Sequence, residues 1–293
     1  MPDYRDAERR MLNYFRIGQR LFFDGEEFLI EKAGKPTCSS GEPKTDIYVS
    51  IANERRDEEI KISYKKKNAD FLENKTNSVR AEQLFGKDWE TVIEESTLDI
   101  KDRFRERALI NTEKGTITLG WKFELLNKPG GNLSGRMNLT RQQVFDVYAG
   151  TNLSRDKRNA KVNSVVVENS GIADYILMTD NVTSAQDIID QMIPIDEYID
   201  MHPDIYFACK ALNYRTFKNK YDGNRPLSVQ VDWHIEYKRL KADLVFDKPL
   251  TMNGYEMAQR LLGCLRELGI RNTDDISDDN ADMNNVCKAR RGK

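Results

Sequence analysis

Two acidic residues and a lysine, Asp46, Glu59 and Lys61, have the types and spacing that phosphodiester hydrolysis requires. Carboxylates are hard oxygen ligands suited to Mg²⁺, which keeps waters and accepts substrate phosphate oxygens. The ion lowers the pKa of a bound water and neutralises charge that gathers on the phosphate. A lysine beside that water would orient it and stabilise the pentavalent state electrostatically. We therefore expect Asp46 and Glu59 to bind Mg²⁺ and Lys61 to assist the attacking water.

Two predicted β-strands joined by a turn would bring these side chains together. Residues 47–51 alternate apolar and polar side chains, residues 52–57 are polar and predict a turn, and the next segment alternates again. Because successive side chains of a strand point to opposite faces, Glu59 and Lys61 share one face while the apolar residues face a core. Asp46 lies at the start of the first strand, so we expect the three charged side chains to converge at one sheet edge.

This arrangement resembles the PD-(D/E)xK nuclease superfamily, which includes many type II restriction endonucleases. Asp46 matches the Asp of that motif, Glu59 the second acid and Lys61 the lysine. The proline that commonly precedes the Asp directly is displaced here to Pro43. The family often adds an acidic residue from the preceding helix, for which Glu8 is the best placed. The resemblance implies an Mg²⁺-dependent nuclease that leaves 5′-phosphate ends.

The resemblance covers about residues 5–90 and implies an α/β fold in which helices flank a mixed β-sheet, the restriction-endonuclease-like core. We expect residues 1–110 to form this catalytic core. Residues 111–293 would then form a further α/β region for DNA recognition and dimerisation. The polar stretch from about Asp274 predicts a flexible C-terminal tail.

Basic residues outside the triad are candidates for binding double-stranded DNA. A lysine run follows the second strand, a predicted helix after it carries polar side chains on one face, and residues 209–226 alternate basic with aromatic side chains. Such residues suit contacts to phosphates and base edges. Solvated turns and an aromatic-anchored surface loop are the alternative interpretations. The predicted DNA-binding residues are Lys65, Lys66, Lys67, Arg80, Gln83, Arg136, Arg215, Lys218 and Arg225.

The composition excludes several other classes of protein. The 293 residues carry a net charge of -2, so a polyanion partner would have to bind local basic patches. The four cysteines form no CxxC pair and there are two histidines, which argues against zinc sites and most histidine-based nucleases. The chain lacks a P-loop, a signal peptide and an 18-residue apolar run, so we expect a cytoplasmic protein that is not inserted in a membrane.

These patterns favour a site-specific DNA endonuclease. A palindromic duplex target implies a two-fold homodimer with one active site for each strand. A less specific repair, phage or defence nuclease of the same fold is the first alternative. A non-catalytic DNA- or protein-binding module, in which Glu59 and Lys61 pair on a surface hairpin, is the second.

Overall fold

A computed structural model describes residues 4–65, 71–179 and 181–287 of the chain. The α-helices are α1 (Tyr4–Leu12), α2 (Ser78–Phe85), α3 (Trp89–Leu98), α4 (Lys101–Arg105), α5 (Arg141–Ala149), α6 (Arg155–Arg158), α7 (Ala185–Gln191), α8 (Ile195–Met201), α9 (Gly254–Glu267) and α10 (Met283–Val286). The strands are β1 (Arg20–Phe23), β2 (Glu26–Gly34), β3 (Ile47–Ala52), β4 (Asp57–Tyr64), β5 (Phe71–Glu73), β6 (Ile110–Asn111), β7 (Thr116–Leu126), β8 (Ser134–Arg136), β9 (Lys161–Val162), β10 (Val165–Val166), β11 (Tyr175–Leu177), β12 (Ile193–Pro194), β13 (Tyr206–Arg215), β14 (Lys220–Tyr221), β15 (Val229–Glu236) and β16 (Arg239–Val245). None of the helices in these ranges is long and apolar enough to cross a membrane.

The chain divides into two compact units. The first takes in Met1–Ala69, Glu82–Gly86 and Leu139–Asp204, and the second takes in Asp70–Ala81, Lys87–Asn138 and Ile205–Lys293. This division does not follow the predicted boundary near residue 110, because strand β11 pairs with β4 and so brings a later part of the chain into the first unit. Alternation of apolar residues shows that a strand exists but not which strand it will pair with.

The first unit is built on a mixed sheet in the order β1-β2-β3-β4-β11-β12. Strands β1 to β4 form an antiparallel meander, and β11 adds to β4 in parallel. The turn between β1 and β2 is the Asp24-Gly25 pair, in which both residues have positive φ, at 50° and 77°; Asp-Gly is a common sequence for such a hairpin turn. The predicted α/β class, with a mixed sheet and flanking helices, is confirmed.

The core of this unit lies on one face of the sheet, as the alternation predicts. Ile47, Val49, Ile51, Ile60 and Ile62 are all fully buried there. They pack in one cluster with apolar residues of α1 and α7. Burying a side chain of this size stabilises the fold by about 1.5–3 kcal/mol, so the register of β3 and β4 is firmly fixed. The polar positions of the two strands therefore share the opposite face.

The second unit holds an eight-stranded sheet whose main path is β14-β13-β7-β15-β16, with β5, β6 and β8 paired to β7 or β13. Helix α9 covers this sheet through Met257, Leu261 and Leu265, which are buried. A capping box begins α9, with Asn253 as N-cap and Glu256 as its partner. The Gly- and Asn-rich stretch after β7 contributes strand β8, which pairs with β13, so this stretch belongs to the sheet.

The predicted flexible tail is wrong up to residue 287. Val286 is fully buried, and its carbonyl accepts a 2.9 Å hydrogen bond from the Leu109 N–H. The Asn285 side chain exchanges hydrogen bonds with the backbone of Ala242, at 2.8 and 3.0 Å. This polar segment is ordered because its amides and buried valine dock on the second unit, which composition does not reveal. Residues 288–293 lie outside the described residues.

Candidate functional site

Asp46 directly precedes strand β3, and hydrogen bonds hold both its backbone and its side chain. Its N–H donates to the Ile62 carbonyl at 2.9 Å, and its Oδ2 accepts a hydrogen bond from the Tyr64 N–H at 2.8 Å. The preceding residues Lys44 and Thr45 donate their N–H groups to the carbonyl of Gly171, at 2.9 and 3.3 Å. Backbone bonds on both sides thus fix the carboxylate at the end of the sheet where β3 begins and β4 ends.

The carboxylate of Asp46 is costly to ionise in this position. Burial raises its pKa to about 6, and the nearby Glu8 adds to the rise. Lys65, Lys35 and the hydrogen bond from Tyr64 act in the opposite direction without cancelling the effect of burial. A carboxylate with a perturbed pKa and specific charged neighbours is typical of a functional site.

Glu8 of α1 and Lys35, which directly follows β2, line the same cavity as Asp46. The Lys35 ammonium donates a hydrogen bond to the Glu8 carboxylate. Burial opposes the charge on Lys35, but the bond to Glu8 and the carboxylates of Asp46 and Glu42 raise its pKa. These four side chains line a cavity of ≈ 290 Å³, together with part of α1. The sequence predicts Glu8 as an added acid, and the structure does place it near Asp46.

The structure does not bring Glu59 to Asp46. In the register of the two strands, Ile47 is paired with Ile62. The next position on β4, Ser63, therefore lies opposite Asp46. Glu59 is four residues away along β4, which corresponds to ~13 Å at about 3.3 Å per residue. Two carboxylates that share one Mg²⁺ must each place an oxygen about 2.1 Å from the ion, so Asp46 and Glu59 are too far apart to do so here.

Glu59 is instead bound to Tyr48. The Tyr48 hydroxyl donates to Glu59 Oε1 at 2.5 Å. Burial, followed by the hydrogen bond to Glu59, raises the pKa of Tyr48 well above its usual range. The phenol therefore stays protonated and keeps donating to the carboxylate at all ordinary pH values.

Lys61 also has a different partner from the one that the sequence predicts. Its ammonium lies 3.1 Å from Asp174, the residue before β11. Tyr175 pairs with Ile62 in the parallel β4–β11 ladder, which sets Asp174 beside Lys61. Burial raises the pKa of Asp174, and the ion pair with Lys61 opposes this rise. Asp174 therefore already neutralises the positive charge of Lys61.

The acids around Asp46 suit Mg²⁺ better than a metal that needs a closed protein cage. Within the described ranges, no group of three or more His, Cys, Asp or Glu side chains is arranged to hold a metal ion. Mg²⁺ is commonly bound by one or two carboxylates and keeps several waters. Asp46 and Glu8 can supply two carboxylates, and a nearby cation would favour the ionised form of Asp46, which its surroundings disfavour.

The predicted DNA-binding residues of the first half of the chain have mixed outcomes. Lys65 is partly buried and acts electrostatically on Asp46, whereas Lys66 and Lys67 lie outside the described residues. Arg80 binds Glu73 at 2.7 Å. Gln83 is buried, and its side-chain oxygen accepts a 3.1 Å hydrogen bond from Lys157. A DNA contact by Gln83 is therefore wrong for this structure, because its amide is used inside the fold.

The other candidates belong to the second unit. Arg136 is exposed on β8, opposite Tyr206 of β13. Much of the predicted DNA-reading loop is regular, since β13 runs to Arg215 and a tight hairpin continues to β14.

Within that hairpin, the Arg215 guanidinium binds Asp222 at 2.5 Å. Lys218 and Arg225 are exposed, so these two keep the accessibility that a DNA contact requires.

Sequence reasoning missed Lys35 and Asp174. Asp174 could have been predicted from its position, because it follows Ala173 and directly precedes a buried strand, as Asp46 directly precedes β3. Lys35 had none, since it lies in a loop rich in Gly, Ser and Pro and reaches Glu8 only through the packing of α1.

Comparison of the chain with protein-family models, with curated proteins and with solved structures finds no match.

Proposed function

We propose that this protein is an Mg²⁺-dependent nuclease acting on double-stranded DNA, with its active site centred on Asp46. The observation that carries the proposal is the partly buried Asp46 carboxylate, of raised pKa, that lies near Glu8 and two lysines at the end of a mixed sheet. A mixed sheet flanked by helices is also the coarse architecture that the resemblance to PD-(D/E)xK nucleases implies. Stability alone does not explain a partly buried carboxylate whose ionisation is unfavourable.

The lysine of the proposed site is Lys65. Ser63 lies opposite Asp46 in the β3–β4 register, and Lys65 follows it by two residues on the same face of the chain. The spacing acid-x-lysine that the sequence shows at 59–61 thus recurs, shifted toward Asp46, as Ser63-x-Lys65 with serine in place of the acid. Glu8 from α1 would supply the second carboxylate.

Each residue has a separate task in this proposal. Bound Mg²⁺ supplies a water of lowered pKa and neutralises charge on the phosphate. Asp46 and Glu8 would hold the ion, and Lys35 would keep the Glu8 carboxylate oriented through its hydrogen bond. Lys65 would stabilise the charge that develops on the phosphate oxygens. Site-specific cutting of both strands would further require a homodimer with two such sites.

Cleavage of phage-genome DNA tests the proposal. We expect discrete fragments with Mg²⁺ and none with EDTA. Asp46→Asn and Lys65→Met should each lower the rate about 10²-fold or more, since each removes electrostatic stabilisation of the transition state. Glu59→Gln and Lys61→Met are the matched controls, because they make the same chemical changes at the acid-lysine pair that lies away from Asp46, and they should retain most of the activity.

The other outcomes separate the alternatives. Loss of cutting in the Glu59 and Lys61 variants, with Lys65→Met active, would return the active site to the acid-lysine pair of the sequence. A smear in place of discrete fragments would favour a nuclease of low specificity. Mg²⁺-independent binding without any cutting, on methylated and unmethylated DNA alike, would favour the non-catalytic module.

A further inference from the structure

A groove of ≈ 750 Å³ lies in the first unit beside α6 and the β9–β10 hairpin. We propose that this groove binds the phosphodiester backbone of duplex DNA next to the Asp46 site. The inference deepens the proposed function and rests on it for the choice of DNA as ligand. It assigns DNA binding to residues 155–166, a segment outside the DNA-binding residues predicted from the sequence.

The groove is lined by hydrogen-bond donors of the kinds that hold phosphates. Arg155 and Lys161 supply two positive charges, and Thr37, Ser39 and Asn159 supply hydroxyl and amide groups. Both cationic side chains are exposed, and neither forms an ion pair with a described residue. Cations without acidic partners, interleaved with hydroxyl and amide donors, are typical of backbone contacts in protein–DNA interfaces.

The one carboxylate of the groove lining, Asp156, is occupied by donors from the protein. Its Oδ2 accepts hydrogen bonds from Ser40 and from Cys38, the latter at 3.2 Å, and its Oδ1 accepts one from Ser154 at 2.5 Å. Hydrogen bonds from Ser154, Ser40 and Cys38 hold the pKa of Asp156 well below its usual range. Asp156 therefore fixes the Cys38–Ser40 loop against α6. The groove lining then carries two positive charges and one negative charge.

An apolar ridge borders the same groove. Val165 and Val166 are 57% and 60% exposed, although adjacent branched side chains are usually buried in a strand. They follow a tight turn at Asn163 and Ser164, both with positive φ, which projects the hairpin. Proteins that bind the DNA minor groove frequently insert apolar side chains between base steps, and the exposed Val165 and Val166 could make such a contact.

One short stretch of chain links the lining of the groove to the lining of the cavity at Asp46. Lys35 lines the cavity at Asp46, and Thr37, two residues later, lines the groove. Thr37 is tied to Lys161 by backbone hydrogen bonds in both directions, at 2.9 Å each. Two residues span about 7 Å, close to the spacing of neighbouring phosphates on a strand. A backbone held in the groove would thus present the adjoining phosphates to Asp46.

Fluorescence anisotropy of a labelled 30-base-pair duplex of random sequence tests the inference. The measurements use the full chain carrying Asp46→Asn, so that cleavage does not interfere. Adding Arg155→Ala and Lys161→Ala should weaken binding about tenfold or more and reduce the slope of log K against log salt by about 2, as expected for two lost phosphate contacts. Val165→Ser with Val166→Ser should weaken binding and leave that slope unchanged.

Lys114→Ala with Arg266→Ala is the matched control, because it removes one lysine and one arginine from exposed positions of the second unit that are not among the predicted DNA-binding residues. Circular dichroism of each variant verifies that it is folded. Unchanged affinity and slope in the Arg155/Lys161 variant, or an equal loss in the control, would overturn the inference. Tighter binding of a duplex RNA of the same sequence would also overturn it. Cleavage by the wild-type chain is scored separately, so a protein that binds through the groove but does not cut would refute the proposed function alone.

Discussion

The Asp46 side chain accepts a hydrogen bond from Tyr64, lies near Glu8 and has a pKa of about 6 as a result of its burial. Lys61 and Glu59, which the sequence predicts to form one active site with Asp46, bind Asp174 and Tyr48 respectively. At the residue scale, the fold therefore gives Glu59 and Lys61 partners of their own and leaves Asp46 in surroundings that disfavour its ionised form. A bound cation would offset the unfavourable charge of Asp46.

Replacing Asp46 by Asn should stabilise the protein at neutral pH. A folded pKa of about 6, against 3.8 for the ordinary group, means that folding favours the protonated acid. Its stabilising effect is complete below the ordinary pKa and is lost as the pH rises through about 6. Ionised Asp46 thus costs about 3 kcal/mol at pH 7, and Asn keeps the acceptor for the Tyr64 N–H.

Urea unfolding at pH 7 and pH 4 measures this effect. The variant should exceed the wild type by about 2–3 kcal/mol at pH 7, with most of the difference gone at pH 4. Glu59→Gln serves as control at both pH values. An Asp46→Asn variant that is less stable than the wild type at pH 7 would contradict the account of this site.

Mg²⁺ should raise the thermal midpoint of the wild-type chain. A ligand that binds only the folded state stabilises it by RT ln(1 + [L]/Kd), about 2.7 kcal/mol at a hundredfold excess over Kd. Differential scanning fluorimetry with MgCl₂, with CaCl₂ and with EDTA measures the shift. Asp46→Asn should abolish it and Glu59→Gln should retain it; the reverse pattern would place the metal at Glu59.

At the scale of elements, the first sheet has an exposed edge at β1 that a side chain closes. The Gln186 amide of α7 accepts from the Phe22 N–H and donates to the Phe22 carbonyl, both at 2.9 Å. The Gln186 amide thus binds the N–H and the carbonyl of Phe22 as a residue of a neighbouring strand would. Unpaired edge strands promote association between chains, and Phe22 is 56% exposed at this edge, so Gln186 protects the point where association would begin.

Gln186→Ala should destabilise the protein by about 1–3 kcal/mol, because it removes the two hydrogen bonds to Phe22 and the 2.8 Å bond that the amide donates to Asp190. It should also increase self-association. Chemical unfolding and light scattering at rising concentration measure the two effects. Gln191→Ala in the same helix is the control, since its side chain makes one 3.4 Å bond to a carbonyl. Equal behaviour of the two variants would show that the edge pairing has no energetic role.

At the scale of the whole molecule, the first unit is assembled from separated parts of the chain. The cluster around β3 and β4 includes Leu177, Val182, Ala185 and Ile188, which come long after the predicted boundary near residue 110. Without them one face of the sheet would lose much of its apolar cover, and β4 would become an open edge.

A fragment of residues 1–110 should therefore fail to fold. We expect no cooperative thermal transition and poorly dispersed amide resonances, in contrast to the full chain measured under the same conditions. A fragment with a sharp transition and native-like dispersion would show that residues 139–204 are dispensable for the first unit.

The sequence by itself determined much of the local structure. Alternation of isoleucines and valines sets the strands β3 and β4 and the face that each residue occupies, because apolar side chains on a strand must share one side to be buried. The Asp24-Gly25 pair sets the first hairpin, and the Thr140 and Gln143 pair sets the start of α5. Asp46 and Glu8 could also be selected as candidates, since each has a defined place relative to those elements.

Only the tertiary structure decided which charges meet. A shift of four residues along β4 separates Glu59 from Asp46, and register depends on the packing of a whole face and not on the local pattern. The pairing of Lys61 with Asp174, the bond of Lys35 to Glu8, and the docking of residues 274–287 all join distant segments of the chain. Such contacts have no local signature, because they arise from the burial of apolar area across the whole unit.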